Sequence, residues 1–197
     1  MRNNSLRNCK NYVNLESGSR IEKKDLIEAY SDLLVGLEKP HWQLYLVTLS
    51  FNQMGGNRER RKETMRTETI NMFNKLLTRF FRRPRSDSVK GWLPVGVFMF
   101  DMPVRKTNKR RRNVTSQVLV NDGLHVHGII AAHPFGRIQM SLEKYFIQHQ
   151  NVFRTQNLSE VDVRQIQESS RKAAGYAVKG LKRFDMSADD MLILPRD

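Results

Sequence analysis

Two histidines one residue apart, His125 and His127, are the side chains of this sequence best suited to bind a metal ion. They lie in the apolar run GLHVHGII, which is typical of a β-strand. Because alternate residues of a strand face the same way, both imidazoles project from one face, in a row with Ile129 and Ala131. The pattern alone is as typical of polar residues on the wet face of a sheet, or of core histidines that each bond a backbone carbonyl, so a neighbouring ligand has to support it.

A carboxylate is predicted beside the histidine pair. Asp101 ends the run PVGVFMFD, the strand that precedes the histidine strand along the chain. If the two strands pair, Asp101 supplies an oxygen ligand, although an aspartate at a strand end can also simply form a turn. Two imidazoles and one carboxylate with open positions suit Mn²⁺ or Mg²⁺. The chain has one cysteine, which excludes a cysteine-based zinc site.

A tyrosine and a lysine form the second chemical pair. Tyr176 and Lys179 share one face of a predicted helix, and Lys172 and Arg183 extend that face. A phenol is a poor nucleophile unless nearby positive charge favours the phenolate, and a lysine and a metal ion supply such charge. Without the histidines, an ordinary tyrosine on a basic surface helix is the simpler interpretation.

The charge of the whole chain indicates a polyanionic partner. The formal net charge is +14 over 197 residues, which favours nucleic acid. A basic run between the two predicted metal-binding strands is expected to contact DNA phosphates: Arg105, Lys106, Lys109, Arg110, Arg111 and Arg112. The single cysteine, and the lack of a signal peptide or a membrane-spanning apolar run, favour a cytoplasmic protein with no membrane contact.

The elements that position these residues alternate along the chain. Periodicity predicts four helices, over residues 21–37, 58–81, 141–153 and 169–184. Apolar or alternating runs predict four strands, over residues 44–51, 94–101, 117–132 and 160–166. The long crossover helices favour an α+β sandwich, for which a ferredoxin-like arrangement is among the simplest. One domain over 21–184 follows a flexible basic arm (1–20) and precedes a tail (185–197).

Three motifs of this chain, and their order along it, resemble those of the HUH endonuclease superfamily. The resemblance is in particular to the replication-initiator class of rolling-circle plasmids and phages. The apolar strand LYLVTLSFN looks like the first motif, and GLHVHGII, with Val126 between the histidines, looks like the histidine motif. The run Tyr176-Ala177-Val178-Lys179 is similar to the tyrosine helix of single-tyrosine members. The family usually has glutamate or another polar ligand where this chain has Asp101.

The resemblance implies a central antiparallel sheet of about five strands with flanking helices, as in ferredoxin- or RRM-like domains. It also implies a metal-assisted nick in single-stranded or hairpin DNA at a replication origin. His125 and His127 would bind the metal, Tyr176 would attack and become a 5′-phosphotyrosine, and Lys179 would assist near the scissile phosphate. Because the sequence has no GxxxxGK[ST] motif, replication would need a host helicase.

Two other functions fit the same residues. A single-tyrosine HUH transposase shares the metal pair and the tyrosine helix, although such proteins are generally shorter and lack the carboxylate on the preceding strand. A non-catalytic basic nucleic-acid-binding domain with an RRM-like sheet explains the charge. It does not explain paired histidines together with a lysine-flanked tyrosine. A covalent DNA adduct on the tyrosine distinguishes the enzymes from the binding domain.

Overall fold

The computed structural model describes residues 23–37, 40–101, 120–167 and 190–195. Within these ranges it has three α-helices: α1 (Lys23–Gly36), α2 (Arg58–Phe80) and α3 (Leu142–Phe153). It has five strands: β1 (Gln43–Phe51), β2 (Val95–Asp101), β3 (His125–Ala132), β4 (Leu158–Gln165) and β5 (Met191–Leu194). Short 3₁₀ turns at Asp87–Trp92 and Val120–Gly123 precede β2 and β3.

Several predicted residues lie outside the described part of the chain. They are the basic run and the face of the predicted helix over 169–184: Arg105, Lys106, Lys109, Arg110, Arg111, Arg112, Lys172, Tyr176, Lys179 and Arg183. Their roles therefore stay predictions. The described helices and strands agree with the predicted ones, apart from the start of β3 and the addition of β5.

Side-chain capping explains where two helices begin. The Asn57 side chain accepts a hydrogen bond from the backbone N–H of Arg60 at the start of α2. Ser141, the predicted cap, accepts one from the N–H of Lys144 at the start of α3. Each bond satisfies a backbone donor that has no partner inside the first turn.

The five strands form one antiparallel sheet in the order β4-β1-β3-β2-β5. β3 therefore lies at the centre, between β1 and β2. The predicted α+β class with a five-stranded antiparallel sheet is confirmed. The sheet order also places the histidine strand directly beside the strand that ends at Asp101.

The two faces of the sheet have different cores. Helices α2 and α3 pack against one face, where Leu49, Phe98 and Val126 are buried with residues such as Phe73 and Phe146. We call the other side the histidine face. There Ile129 and Ala131 are buried with Leu33 of α1, with Leu37 just after that helix, and with Val97 and Met99. As predicted, Ile129 and Ala131 continue the row of His125 and His127.

The start of β3 differs from the prediction. A continuous strand over 117–132 was expected, but within the described residues the strand begins at His125. Asn121 (φ 52°), Asp122 (φ 57°) and Gly123 (φ 81°) adopt left-handed conformations, which interrupt an extended chain. The buried Asn121 side chain donates to the carbonyl of Asn52 and accepts from the N–H of Met54. This turn is thereby attached to the chain that leaves β1.

The fifth strand lies within the predicted tail. Met191–Leu194 pairs with β2 at the edge of the sheet, with Met99 opposite Met191. Just before it, the Asp190 carboxylate lies 2.7 Å from the Lys62 ammonium of α2. Both side chains are buried, so the pair anchors β5 to the helix layer.

Candidate metal centre

The register of β3 with its two neighbours brings the predicted ligands together. Asp101 at the end of β2 pairs directly with His125 at the start of β3. His127 lies two residues further on the same face, and its partner on β1 is Thr48. The candidate metal centre is thus built from three adjacent strands, which are the most rigid part of a sheet.

The ligand atoms converge on one point. The Nε2 atoms of His125 and His127 are 2.9 Å apart, and Asp101 Oδ2 lies 3.9 Å from each of them. Asp101 and His127 are buried, whereas the His125 side chain keeps 25% of its surface exposed. These three residues could hold a metal ion, and the exposed edge of His125 gives the centre its access to solvent.

The outer nitrogens of both rings have partners that orient them. His125 Nδ1 lies 2.7 Å from the carbonyl oxygen of Gly123. Because a carbonyl only accepts, Nδ1 carries the hydrogen and Nε2 of a neutral ring presents its lone pair to the centre. His127 Nδ1 lies 3.0 Å from the Thr48 hydroxyl. Partners of this kind fix the ring orientation of metal-binding histidines.

The spacing fits a divalent ion. An ion about 2.1 Å from two nitrogens at a right angle requires them to be about 3 Å apart, close to the observed 2.9 Å. Asp101 Oδ2 lies 3.9 Å from each nitrogen, about 1 Å beyond that separation. The two facing Nε2 atoms and the adjacent Asp101 carboxylate are thus close enough together for one cation to contact all three residues.

The two tyrosines whose side chains the structure describes are poorly placed to serve this centre. Tyr45 and Tyr145 are both buried in the core under α2 and α3, on the opposite face of the sheet. The Tyr45 hydroxyl donates to the Gln43 side chain, and burial raises its pKa. Both therefore serve as core residues rather than nucleophiles, and the role of Tyr176, which lies outside the described residues, stays a prediction.

Sequence reasoning missed the two groups that orient the rings. Thr48 lies in the first motif, but the local pattern predicts no contact with a histidine, and a backbone carbonyl such as that of Gly123 leaves no mark in a sequence. Thr48 and Ser50 are both hydroxyl residues in the run LYLVTLSF, so polarity alone does not single out Thr48. Its contact with His127 depends on the pairing of β1 with β3, which no local pattern reveals.

Comparisons with family models, curated proteins and solved structures give no match. In the described residues, no helix has both the length and the apolar character needed to span a bilayer. The interpretation of this centre therefore rests on its own geometry and chemistry.

Proposed function

We propose that this chain is a metal-dependent, single-tyrosine endonuclease of the HUH replication-initiator type. It nicks and rejoins single-stranded DNA at a replication origin during rolling-circle replication. The observation that carries the proposal is the convergence of Asp101, His125 and His127 on one face of the central strands. The succession β-α-β-β-α-β from β1 to β4, which is that of a ferredoxin-like domain, supports it.

The ligand set favours Mn²⁺ or Mg²⁺ as the cofactor. Asp101, His125 and His127 would hold the ion through mixed oxygen and nitrogen donors, and three protein ligands would leave room for phosphate oxygens. When bound, the ion supplies positive charge that stabilises the charge building on the scissile phosphate. Tyr176 belongs to the connection between β4 and β5, the two edge strands of this sheet.

The proposed reaction is a transesterification. The Tyr176 oxygen attacks phosphorus and loses its proton, while the 3′ oxygen of the DNA leaves and takes up a proton. The product is a 5′-phosphotyrosine, which conserves the phosphodiester bond for rejoining by the reverse step. Lys179 stabilises negative charge near the phosphate.

The substrate has to be single-stranded because the ligands lie in the surface of a sheet, which a duplex backbone cannot enter. Lys172, Arg183 and the basic run from Arg105 to Arg112 bind the strand on either side of the nick. Such contacts release counterions, so DNA affinity falls steeply with salt. The domain has no helicase motif, and a host helicase separates the strands ahead of the replication fork.

Covalent capture tests this function. The full chain is incubated with Mn²⁺ and a labelled library of single-stranded hairpins, and the adduct is mapped by peptide mass spectrometry. We expect the adduct on Tyr176, its loss in Tyr176→Phe, and its retention in the matched control Tyr145→Phe. An adduct that persists in Tyr176→Phe would refute the assigned nucleophile.

Two further outcomes distinguish the alternative functions. DNA binding without any adduct would identify a non-catalytic binding domain. The DNA sequence joined to the tyrosine would separate an initiator from a transposase.

A further inference from the structure

A group of aromatic rings lies partly exposed beyond the last residue of β3. The Trp92 ring lies 4.5 Å from the His133 ring and 5.3 Å from the Phe135 ring, between centroids. Trp42 contacts His133 edge-on at 5.7 Å. Trp92 is 40% exposed and Phe135 is 59% exposed. We call these four residues, Trp42, Trp92, His133 and Phe135, the aromatic platform.

The platform lies at the opposite end of the central strand from the metal centre. β3 starts at His125, and His133 follows its last residue, Ala132. At ~3.4 Å per residue, His133 is about 20 Å from His127 along the strand direction. Trp42 precedes β1 and packs against the core of the histidine face. The platform therefore borders the same sheet face as the metal centre, about six stacked nucleotides away at ~3.4 Å each.

The chain around the platform is strongly basic. The described segments that build it, residues 40–42, 81–94 and 133–140, contain one acidic residue, Asp87. They contain five exposed cations: Arg82, Arg83, Arg85, Lys90 and Arg137. In addition, desolvation and the neighbouring His41 lower the pKa of His133, which favours the uncharged form of its ring.

We propose that the aromatic platform stacks the bases of single-stranded DNA while the surrounding cations hold its phosphates. Exposed ring faces beside a positive surface are the combination that binds single strands with little sequence preference, since every base has a π-face. An apolar partner protein would gain nothing from the five exposed cations in the segments that carry the rings. The inference rests on the proposed function only for the choice of DNA, because base stacking requires no metal centre.

Intrinsic fluorescence gives a direct test because the chain has two tryptophans, and both belong to the platform. The full chain, without added metal, is titrated with an oligothymidylate of about 15 nucleotides, within the ~4–16 that such sites cover. We expect tryptophan quenching with the same midpoint as the anisotropy of a labelled oligonucleotide. Trp42→Phe leaves Trp92 as the reporter. Saturated binding without a change in tryptophan emission would overturn the proposal.

Point variants add an affinity measurement. Phe135→Ala and Trp92→Ala should each weaken oligothymidylate binding at least about fivefold, the loss expected when one base loses its stacking partner. The matched control is Ile147→Ala, which shortens a 70% exposed apolar residue on α3 and should leave affinity unchanged. Circular dichroism verifies that each variant is folded. Unchanged affinity in both platform variants would refute the proposal. It would also be refuted if the unmodified chain self-associates and Phe135→Ala abolishes this association without changing DNA binding.

A metal-centre variant separates this inference from the proposed function. His127→Ala should lose adduct formation and keep the quenching by oligothymidylate. If the platform proposal fails alone, adducts form without any fluorescence change. If the nicking proposal fails alone, quenching remains and no adduct forms with the unmodified chain.

Discussion

At the residue scale, the candidate centre depends on the orientation of two imidazole rings. Each has its Nδ1 held by a neighbour, the Gly123 carbonyl or the Thr48 hydroxyl, and its Nε2 aimed at the shared point. Orientation of this kind reduces the entropy that metal binding would otherwise cost. Ligands and their orienting partners therefore give two separable predictions.

Removal of one ligand should abolish tight metal binding. Loss of a residue that orients a ligand typically lowers metal affinity about 10–100-fold. We expect His127→Ala to lower Mn²⁺ affinity by more than this, because it removes one of the three donors. Isothermal titration calorimetry of the purified chain measures this. His149→Ala, on α3, is the control and should bind like the unmodified protein. Equal affinity of His127→Ala and the control would contradict the site.

Removal of the orienting hydroxyl should have a smaller and specific effect. Thr48→Val keeps the volume of the side chain and removes its bond to His127, so Mn²⁺ affinity should fall about 10–100-fold. Thr48→Ser restores a hydroxyl and should recover most of the affinity. The ratio of the two dissociation constants is the measurement. Valine and serine variants that bind equally would show that the threonine serves packing alone.

At the element scale, the closeness of β2 and β3 forms the site, and Gly128 enables it. A Cβ on Gly128 would lie 2.3 Å from Phe98 Cδ1 and 2.7 Å from the Val97 carbonyl oxygen. Because one of these contacts is backbone, no side-chain rotation relieves it. A larger residue would force apart the strands that hold Asp101 and His125.

We therefore expect Gly128→Ala to lower the free energy of unfolding by at least about 1–3 kcal/mol, the range for overpacked cores. Urea denaturation followed by circular dichroism measures the change. Gly55→Ala is the matched control because a Cβ there meets nothing within 4 Å, and its stability should stay close to that of the unmodified chain. A Gly128→Ala protein as stable as this control would contradict the packing argument.

Local patterns in the sequence were sufficient to predict most elements and two of the three ligand positions. Apolar runs predicted β1 and β2, alternation predicted β4, and helical spacing predicted α1, α2 and α3. The alternation of side chains along a strand placed His125 and His127 on one face. The position of Asp101 beside them needed a pairing assumption that the structure confirms. Thr48 was missed because register is a property of two strands. The short MLIL strand was missed because four apolar residues carry too little periodicity to identify an element.

At the scale of the whole molecule, one buried ion pair joins the sheet edge to the helix layer. Asp190, just before β5, lies 2.7 Å from Lys62 of α2, and both side chains are about nine-tenths buried. Removing the Asp190 charge leaves the buried Lys62 ammonium with its longer, 3.9 Å contact to the exposed Glu59, which compensates its charge less well. The pair also means that Lys62 contributes little to the positive surface, despite the net charge of +14.

Asp190→Asn should thus lower the free energy of unfolding by about 3–5 kcal/mol. The control is Asp162→Asn, which breaks the ion pair between Asp162 and Arg164. The Asp162 side chain is 46% exposed and the Arg164 side chain is 74% exposed. Exposed pairs contribute about 0–1 kcal/mol, so the control should be nearly neutral. Chemical denaturation measures the free energy of unfolding of both variants. If both substitutions lower it by the same amount, β5 is held by its strand pairing alone.

The pairing of Asp101 with His125 has a consequence for folding as well as for chemistry. A slip of β3 by one residue would turn both histidines into the apolar core, so the cation would select one alignment of β2 with β3. The ion would then act as a reversible crosslink at the end of the β2–β3 pairing, where residues 102–124 connect the two strands along the chain. Saturating Mn²⁺ at about 1,000 times its Kd should add about 4 kcal/mol of stability, seen as a rise in Tm that EDTA reverses. Asp101→Asn should show a smaller rise in Tm. If metal leaves the Tm of the unmodified chain unchanged, the ion does not crosslink β2 and β3.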